Sequence, residues 1–429
     1  MILYNILHLL SVLCHKVKAL LFHSCSDDNK YLALTMFAMT NIAIASQSIP
    51  AIDLDKMNID EMNTGPYSYF IPPYSDYYFH HMDKLGYRID WVKRAGIVYP
   101  LKEAHTPFTV TYSYNKHTYT LDQYFKRNRV LGFLVLKDNQ IISEHYFQGS
   151  NQHSRFLSNS VGKSITSTLF GIALEDGKIA SIDDPAIKYV PTLKKSGFDR
   201  VTLRQALEMA TGIDATEDAS DPNSTVHKMS GSVLRGVPSF TQLMQSLKAD
   251  PNVTPGTTFK YISLNTQVLG FAIENATGTP LNQYLQNKIW RKIGAESDGF
   301  LFRANAQPDE CAFGCFNATL RDYGRFGLMM MNGGTLGGTR VVSSAWVKEA
   351  TTPVKYDVPP QGTDYGYQWW IPSDGSKAYQ GQGVYGQILY INPIKHIVIV
   401  EASAWPKADP DERWDEAAKV MDAIVKKLS

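Results

Sequence analysis

Strand patterns occur in two groups that lie far apart in this sequence, with a long, mainly helical segment between them. Residues 132–136 and 141–147 have strand-like composition and flank a short polar turn, which predicts a β-hairpin. Residues 365–371, 386–391 and 396–402 also have the composition of strands. Because strands must pair to satisfy their backbone groups, we expect both groups to form one antiparallel sheet.

The intervening segment shows helical spacing of its apolar residues. Residues 156–176 carry such a pattern and stop at Gly177, and Thr202 is a plausible N-cap for a helix over 203–211. An amphipathic helix is predicted over 414–428. The predicted fold class is therefore α+β: an antiparallel sheet flanked by helices, with a mainly helical insertion at about residues 160–295.

The N-terminal region predicts export. Lys30 precedes an apolar run over residues 31–45 that ends in Ala-Ile-Ala, the small-x-small pattern of signal peptidase sites. We expect a signal region over 1–45, with an over-extended start, and a periplasmic or secreted protein without a stable membrane anchor after cleavage. A buried N-terminal helix is the alternative. No apolar run in the main body reaches the roughly 18 residues needed to span a bilayer.

Two further regions are expected after the signal region. Residues 46–115 are rich in Tyr, Pro and Asp, which predicts an irregular extension that packs through its aromatic side chains. Its Tyr and His side chains either line a substrate cleft or pack on the main domain. Residues 116–429 are predicted to form that main domain.

Charge and motif content exclude several function classes. The chain has 42 Lys and Arg against 41 Asp and Glu, without a charge run, so nothing indicates a nucleic-acid partner. It lacks the G-x-S-x-G motif of α/β-hydrolases and the H-E-x-x-H motif of zinc enzymes. No metal or cofactor is expected, and the oligomeric state stays open.

The stretch SNSVGKS at residues 158–164 fits two motifs. A phosphate-binding loop would need Gly five positions before Gly162, where Leu157 stands. The alternative is S-x-x-K, formed by Ser160 and Lys163, which share one face of a helix. A Ser nucleophile needs a base, and desolvation can keep a Lys neutral enough to serve. Alone, the motif equally fits a capping Ser and a solvated Lys.

Several segments, in the same order, resemble the serine β-lactamase and penicillin-binding protein superfamily. They are LSNSVGKSITSTLFG, VTLRQALEMATGID, PGTTFKYISLNTQVLG, FNATLRDYGRFG and GQGVYGQILYINP. The chain is most similar to class C β-lactamase-like esterases and 6-aminohexanoate-dimer hydrolases, over most of residues 120–425. The resemblance implies a β-lactamase/transpeptidase-like fold.

The resemblance also implies catalytic roles. Ser160 would be the acylated nucleophile and Lys163 its general base. Tyr261 matches the Tyr of the Y-x-N/S motif, whose hydroxyl relays a proton between Ser, Lys and the leaving group. The backbone N–H groups of Ser160 and Val384 would form the oxyanion hole.

The substrate-binding positions depart from the β-lactamase pattern. Ser263 stands where class C enzymes have Asn, and Gly381, Gln382 and Gly383 stand where β-lactamases have K-T-G. The Lys and Thr of K-T-G bind the drug's carboxylate through charge-assisted bonds, which Gly and Gln do not supply. We therefore expect little hydrolysis of penicillins or cephalosporins, and room for an uncharged ester or amide.

The two cysteines of the main domain, Cys311 and Cys315, leave two alternatives open. Their spacing fits a disulfide in a turn or helix, and it fits two free thiols. Without nearby His partners, they make a poor zinc site.

The sequence thus predicts a serine hydrolase that cleaves ester or amide bonds of a small or short peptide-like substrate through an acyl-enzyme. Carboxylesterase, short-amide hydrolase, D-amino-acid peptidase and true β-lactamase stay open as alternatives. A non-catalytic member that binds peptidoglycan or a partner is a further alternative. The joint presence of Ser160, Lys163 and Tyr261 argues against it.

Overall fold

The computed structural model describes residues 70, 72–94, 96–104, 107–218, 221, 224–357, 359–360 and 362–429. Their strands are β1 Arg88–Val92, β2 Lys102–Glu103, β3 Thr111–Tyr114, β4 His117–Thr120, β5 Val130–Lys137, β6 Gln140–Tyr146, β7 Phe156–Leu157, β8 Gly299–Arg303, β9 Phe316–Ala318, β10 Thr335–Leu336, β11 Thr339–Arg340, β12 Asp364–Tyr365, β13 Trp370–Ile371, β14 Tyr379–Gly383, β15 Gln387–Asn392 and β16 Ile397–Ser403. Their α-helices are α1 Tyr74–Tyr78, α2 Leu121–Arg127, α3 Val161–Glu175, α4 Ala186–Tyr189, α5 Leu203–Leu207, α6 Thr225–Arg235, α7 Phe240–Ser246, α8 Ser263–Thr277, α9 Leu281–Leu285, α10 Leu320–Met331, α11 Ser344–Ala350 and α12 Asp411–Leu428.

The main sheet joins both predicted groups of strands. Its order within the described residues is β12-β13-β14-β15-β16-β5-β6-β2, so β5 of the first hairpin pairs with β16 near the C-terminus. Neighbouring strands are antiparallel except at one edge, where β2 runs parallel to β6. The prediction of one sheet with helices inserted between its halves is confirmed, and the fold class is α+β.

Helices cover both faces of this sheet. Helix α10 packs against β5, β15 and β16 on one side. On the other side, α12 contributes Val420, Met421 and Ile424 to a core that also contains Phe133 and Ile399 from the sheet. Because both faces are covered, the central strands are buried along almost their whole length and read as continuous apolar runs.

A second sheet contains one strand, β1, from the region predicted to be an irregular extension. Its order in the described part of the chain is β1-β8-β9-β7, with β1 pairing antiparallel to β8. The prediction of an irregular segment is therefore wrong for residues 88–92. These residues form a strand by pairing with a segment that lies some two hundred residues away in the sequence. Aromatic packing does occur there, as Trp91 contacts Phe300 edge to face.

The prediction of a single strand over residues 365–371 is also wrong, because the chain reverses its direction within this segment. Strands β12 and β13 pair with each other across a tight turn in which Gly366 N–H donates to the Trp369 carbonyl. The amide of Gln368 fixes this turn by donating to the carbonyls of Ala206 and Leu207, both in α5. These tertiary bonds outweigh the local preference for an extended strand.

The predicted signal region lies outside the described residues, so the limits at 45 and 115 stay predictions. Across the part of the chain that the structure describes, we find no helix long and apolar enough to cross a membrane.

Candidate active site

Ser160 lies where the chain turns from β7 into helix α3. Its neighbour Asn159 has a positive φ of 41°, a conformation that Asn tolerates better than most residues. The Asn159 side chain donates to the Val384 carbonyl at 2.9 Å, which ties the nucleophile turn to the end of β14. Ser160 is the N-cap residue of α3, but its side chain makes no capping bond. The hydroxyl is therefore left for other partners.

Lys163 approaches the Ser160 hydroxyl from the first turn of the same helix. Its Nζ lies 2.7 Å from Ser160 Oγ and 3.2 Å from the Phe313 carbonyl. The residue is only 1% exposed. Burial lowers the pKa of Lys163 to about 8, since a desolvated ammonium is costly. An amine with this pKa can accept a proton near neutral pH.

Tyr261 completes the group from a separate segment, directly before helix α8. The backbone N–H of Lys260 donates to the Met209 carbonyl at 2.8 Å and anchors this segment. The Tyr261 ring centroid lies 5.0 Å from Lys163 Nζ. Burial raises the pKa of Tyr261, and a hydrogen bond with Ser160 lowers it in part. The phenol therefore stays protonated at working pH, so it can donate and relay a proton.

Strand β14 passes directly beside the nucleophile. A Cβ placed on Gly383 would lie 2.9 Å from Ser160 N, so only glycine allows this approach. Gly381 faces Val161 and Ser164 in the same way. Val384 follows in the turn after β14, and its carbonyl contacts the side chain of Asn159, which directly precedes Ser160. Its predicted part in the oxyanion hole remains a prediction.

Two residues predicted to bind substrate have other neighbours. Gln382 alternates with the two glycines and faces the opposite side of β14, where it lines a cavity of about 380 Å³ with Trp414 and Met421 of helix α12. Ser263 is buried, and both its backbone N–H and its hydroxyl donate to the Glu217 carboxylate. The structure therefore brings Ser160, Lys163, Tyr261, Gly381 and Gly383 together, but not the side chain of Gln382.

Cys311 and Cys315 are free, buried thiols in the structure. The disulfide alternative is thereby wrong, and the free-thiol alternative holds. The segment between the two cysteines places the Phe313 carbonyl within hydrogen-bond distance of Lys163 Nζ.

One wall beside Tyr261 is aromatic. Trp370 stacks on Tyr261 with ring centroids 5.5 Å apart, and Phe259 and Tyr365 pack around it. Trp370 is partly exposed, whereas its neighbour Trp369 is fully buried in the core. Trp370 thus offers an apolar surface next to the reacting groups.

Three contributors to the site were missed from the sequence. The Phe313 carbonyl and the Glu217 carboxylate are brought in by tertiary packing, and no local pattern marks either. Asn159 could have been found, because Asn directly before a helix-starting Ser suggests a positive φ. Among the described residues, we find no group of three or more His, Cys, Asp or Glu side chains that could hold a metal ion.

Comparisons with known proteins identify the family to which the chain belongs. Residues 121–421 match the family described as Beta-lactamase. A 6-aminohexanoate-dimer hydrolase of Paenarthrobacter ureafaciens is 34% identical over 332 residues, which cover 71% of this chain and 82% of that protein. A solved structure from Bacillus anthracis, provisionally assigned as a 6-aminohexanoate-dimer hydrolase, has a TM-score of 0.76 at 24% identity and covers 84% of this chain and 96% of its own. A family VIII carboxylesterase structure has a TM-score of 0.55 at 18% identity, over 72% of this chain and 95% of that chain.

Proposed function

The chain belongs to the Beta-lactamase family and is a serine hydrolase, and from this premise we propose that Ser160, Lys163 and Tyr261 carry out acyl transfer. The single observation that carries the proposal is the short contact between Lys163 Nζ and Ser160 Oγ, with the amine buried. A buried amine of lowered pKa next to a hydroxyl is the arrangement that a Ser nucleophile requires.

Acylation follows from these positions. Neutral Lys163 accepts the proton of the Ser160 hydroxyl while Oγ forms a bond to the substrate's carbonyl carbon. The carbonyl π electrons move to its oxygen, which the backbone N–H groups of Ser160 and Val384 would stabilise. When the bond to the leaving group breaks, that group takes the Tyr261 proton, and the Lys163 ammonium restores the phenol.

Deacylation runs the same steps with water. Water attacks the Ser160 ester and loses its proton to the Tyr261 and Lys163 pair, and Ser160 regains its hydrogen as the acid leaves. We assign Lys163 as the base because burial lowers the pKa of its amine, whereas burial raises the pKa of the Tyr261 phenol. The net reaction consumes one water per ester or amide bond and needs no cofactor.

We propose a short, linear ester or amide as the substrate. Gly381 offers no cation for a drug carboxylate, and Gln382 points away from the nucleophile. The partly exposed face of Trp370 suits an apolar chain. The 34% identical relative is named for hydrolysis of a 6-aminohexanoate dimer, which is a linear amide, and this supports the amide arm of the proposal.

The direct test is labelling with a fluorophosphonate probe, comparing the wild type with Ser160→Ala. We expect stoichiometric labelling of the wild type and none of the variant. Ser181→Ala is a matched control, since Ser181 lies in a turn beyond the end of α3 and should leave labelling unchanged. Wild-type protein that stays unlabelled would favour a binding protein over an enzyme.

A substrate panel then separates the members of the class. We expect turnover of p-nitrophenyl esters or of short linear amides, including the 6-aminohexanoate dimer, and little turnover of nitrocefin. Nitrocefin turnover comparable to that of a true β-lactamase would contradict the substrate proposal. Cleavage of D-alanyl-D-alanine peptides alone would identify a peptidase.

We also propose that the protein is exported, on the basis of the apolar run at residues 31–45 and its Ala-Ile-Ala ending. The mass of the protein recovered from the periplasm or medium should correspond to cleavage near residue 45. An exported protein that retains residue 1 would contradict this proposal.

A further inference from the structure

Glu217 is a partly buried carboxylate for which the acyl-transfer steps above have no role. It follows α5 in a loop, and it meets the start of helix α8, which is 46 residues further along the chain. There the Ser263 hydroxyl donates to one carboxylate oxygen at 2.9 Å, and the Ser263 backbone N–H donates to the other. Both oxygens are thus held by donors from one residue, which fixes the position of the carboxylate.

Opposing influences act on the protonation of Glu217. Burial raises the pKa of Glu217 above its usual value, and a positive charge on Lys163 and the two donors of Ser263 oppose that rise, so the anion is favoured once the Lys163 ammonium forms. A carboxylate that accepts two hydrogen bonds at a helix N-terminus is stabilised as the anion. Ser263 therefore acts as a clamp for Glu217, and its polar groups are already engaged.

The bonds to Ser263 place Glu217 against a residue that lies two positions along the chain from Tyr261, whose ring centroid lies 5.0 Å from Lys163 Nζ. The other groups near the Lys163 amine are the Ser160 hydroxyl, the Tyr261 ring, the Phe313 carbonyl and the two thiols of the 311–315 segment. Within this set, Glu217 is the one carboxylate. Burial lowers the pKa of Lys163, and the charge of Glu217 is the first opposing influence that raises it.

The consequence follows from the chemistry of the first step. When Lys163 takes the Ser160 proton, a full positive charge forms at a site that is 1% exposed. An unpaired buried ammonium is costly, and a fixed anion nearby offsets that cost without a bond that would occupy the amine. Lys163 can therefore contact Ser160 while the Glu217 carboxylate supplies a nearby negative charge.

We propose that Glu217 is a positioning residue that supplies the counter-charge for the Lys163 ammonium during acyl transfer, with Ser263 as its clamp. The inference rests on the proposed function, because it assigns Lys163 as the base. It also gives the Ser at position 263 a role in holding Glu217, in place of the substrate contact that the sequence suggested.

The test is the pH dependence of fluorophosphonate labelling at Ser160, with Glu217→Gln compared with the wild type. Loss of the negative charge should lower the pKa of Lys163, so the acid limb of the labelling rate should move about one pH unit toward acid. At high pH the variant should be slower than the wild type, because its base is weaker. The ratio of variant to wild-type rate should therefore rise as pH falls.

Two controls accompany this variant. Glu217→Asp keeps the charge, so its acid limb should stay within a few tenths of a pH unit of the wild type. Glu401→Gln changes a buried carboxylate that binds Tyr124 and Ser403, away from Lys163, and should leave the limb unchanged. Should Glu217→Gln fail to fold, Glu217→Ala, in which water can reach Ser263, should shift the limb in the same direction.

Other results would overturn the inference in distinguishable ways. A Glu217→Gln protein that labels more slowly at every pH, with an unmoved limb, would show a structural role alone. An unmoved limb together with a raised KM for amine-bearing substrates would show that Glu217 binds substrate. A wild type that is not labelled at Ser160 would contradict the proposed function itself.

Discussion

Two buried ionisable groups of this molecule, the Glu416 carboxylate and the Lys163 amine, differ in how many hydrogen-bond partners they have. The Glu416 carboxylate accepts hydrogen bonds from Tyr112, Arg127 and Asn128, at distances that include 2.6 Å to the Tyr112 hydroxyl. Although burial would raise its pKa, these bonds, led by that from Arg127, leave it below the usual value. Lys163, by contrast, contacts one hydroxyl and one carbonyl.

The difference separates structural from reactive polar groups. A buried charge with a full set of partners keeps its charge and holds secondary structure elements together, here α2, β3 and α12. A buried amine with few partners has a lowered pKa and can change its protonation state during a reaction. Substitutions in the first group should therefore affect stability, and those in the second should affect rate.

The largest expected effect on rate comes from Lys163→Met. This change removes the base and should lower kcat/KM at least about a hundredfold. The free energy of unfolding should be unchanged or higher, because a desolvated amine gives way to an apolar side chain of similar length. Steady-state kinetics and thermal unfolding measure the two effects. A near-normal rate would remove Lys163 from the mechanism.

Tyr261→Phe should also lower kcat/KM by roughly a hundredfold, because it removes the proton relay and keeps the ring that stacks on Trp370. Tyr365→Phe is the matched control, as Tyr365 packs in the same aromatic cluster. It should retain activity. Equal losses in both variants would indicate that the aromatic cluster, and not the Tyr261 hydroxyl, is what matters.

The opposite pattern is expected for Glu416→Gln. Loss of the charge beside Arg127 should reduce the free energy of unfolding by about 2–3 kcal/mol, at the low end for a broken buried pair because the Arg127 side chain is 34% exposed. The value of kcat/KM per folded molecule should not change. Denaturant unfolding followed by kinetics on the folded fraction measures both. A large fall in kcat/KM would contradict the separation of the two groups.

The smallest change, about tenfold per pH unit, is expected for the dependence of the wild-type rate on pH. Lys163 must be neutral to act as base, so kcat/KM should rise with pH and level off above about 8, the pKa of this amine. Below that value the rate should fall about tenfold per pH unit. The raised pKa of Tyr261 predicts no second rise from phenolate formation. A rate independent of pH between 6 and 9 would contradict the lowered pKa of Lys163.

Local patterns in the sequence were sufficient for the parts of the fold whose contacts are close along the chain. Helix α2 begins at a capping box formed by Thr120 and Gln123, which is a local sequence signal. The first hairpin and the last two strands, β15 and β16, also lie where their strand patterns predicted. The spacing of Ser160 and Lys163 is likewise local, because one helical turn brings both to the same face.

The contacts that only the tertiary structure decided join residues far apart in the sequence. The clamp of Glu217 by Ser263, the approach of Gly383 to Ser160 and the orientation of Gln382 toward α12 all depend on how separate elements pack. So does the free state of the two cysteines. The sequence determined those helices and strands that local patterns mark, and which residues form the nucleophile motif, because short-range periodicity and capping govern these. The tertiary structure decided the protonation of that motif, because burial and neighbouring charges depend on the packed fold.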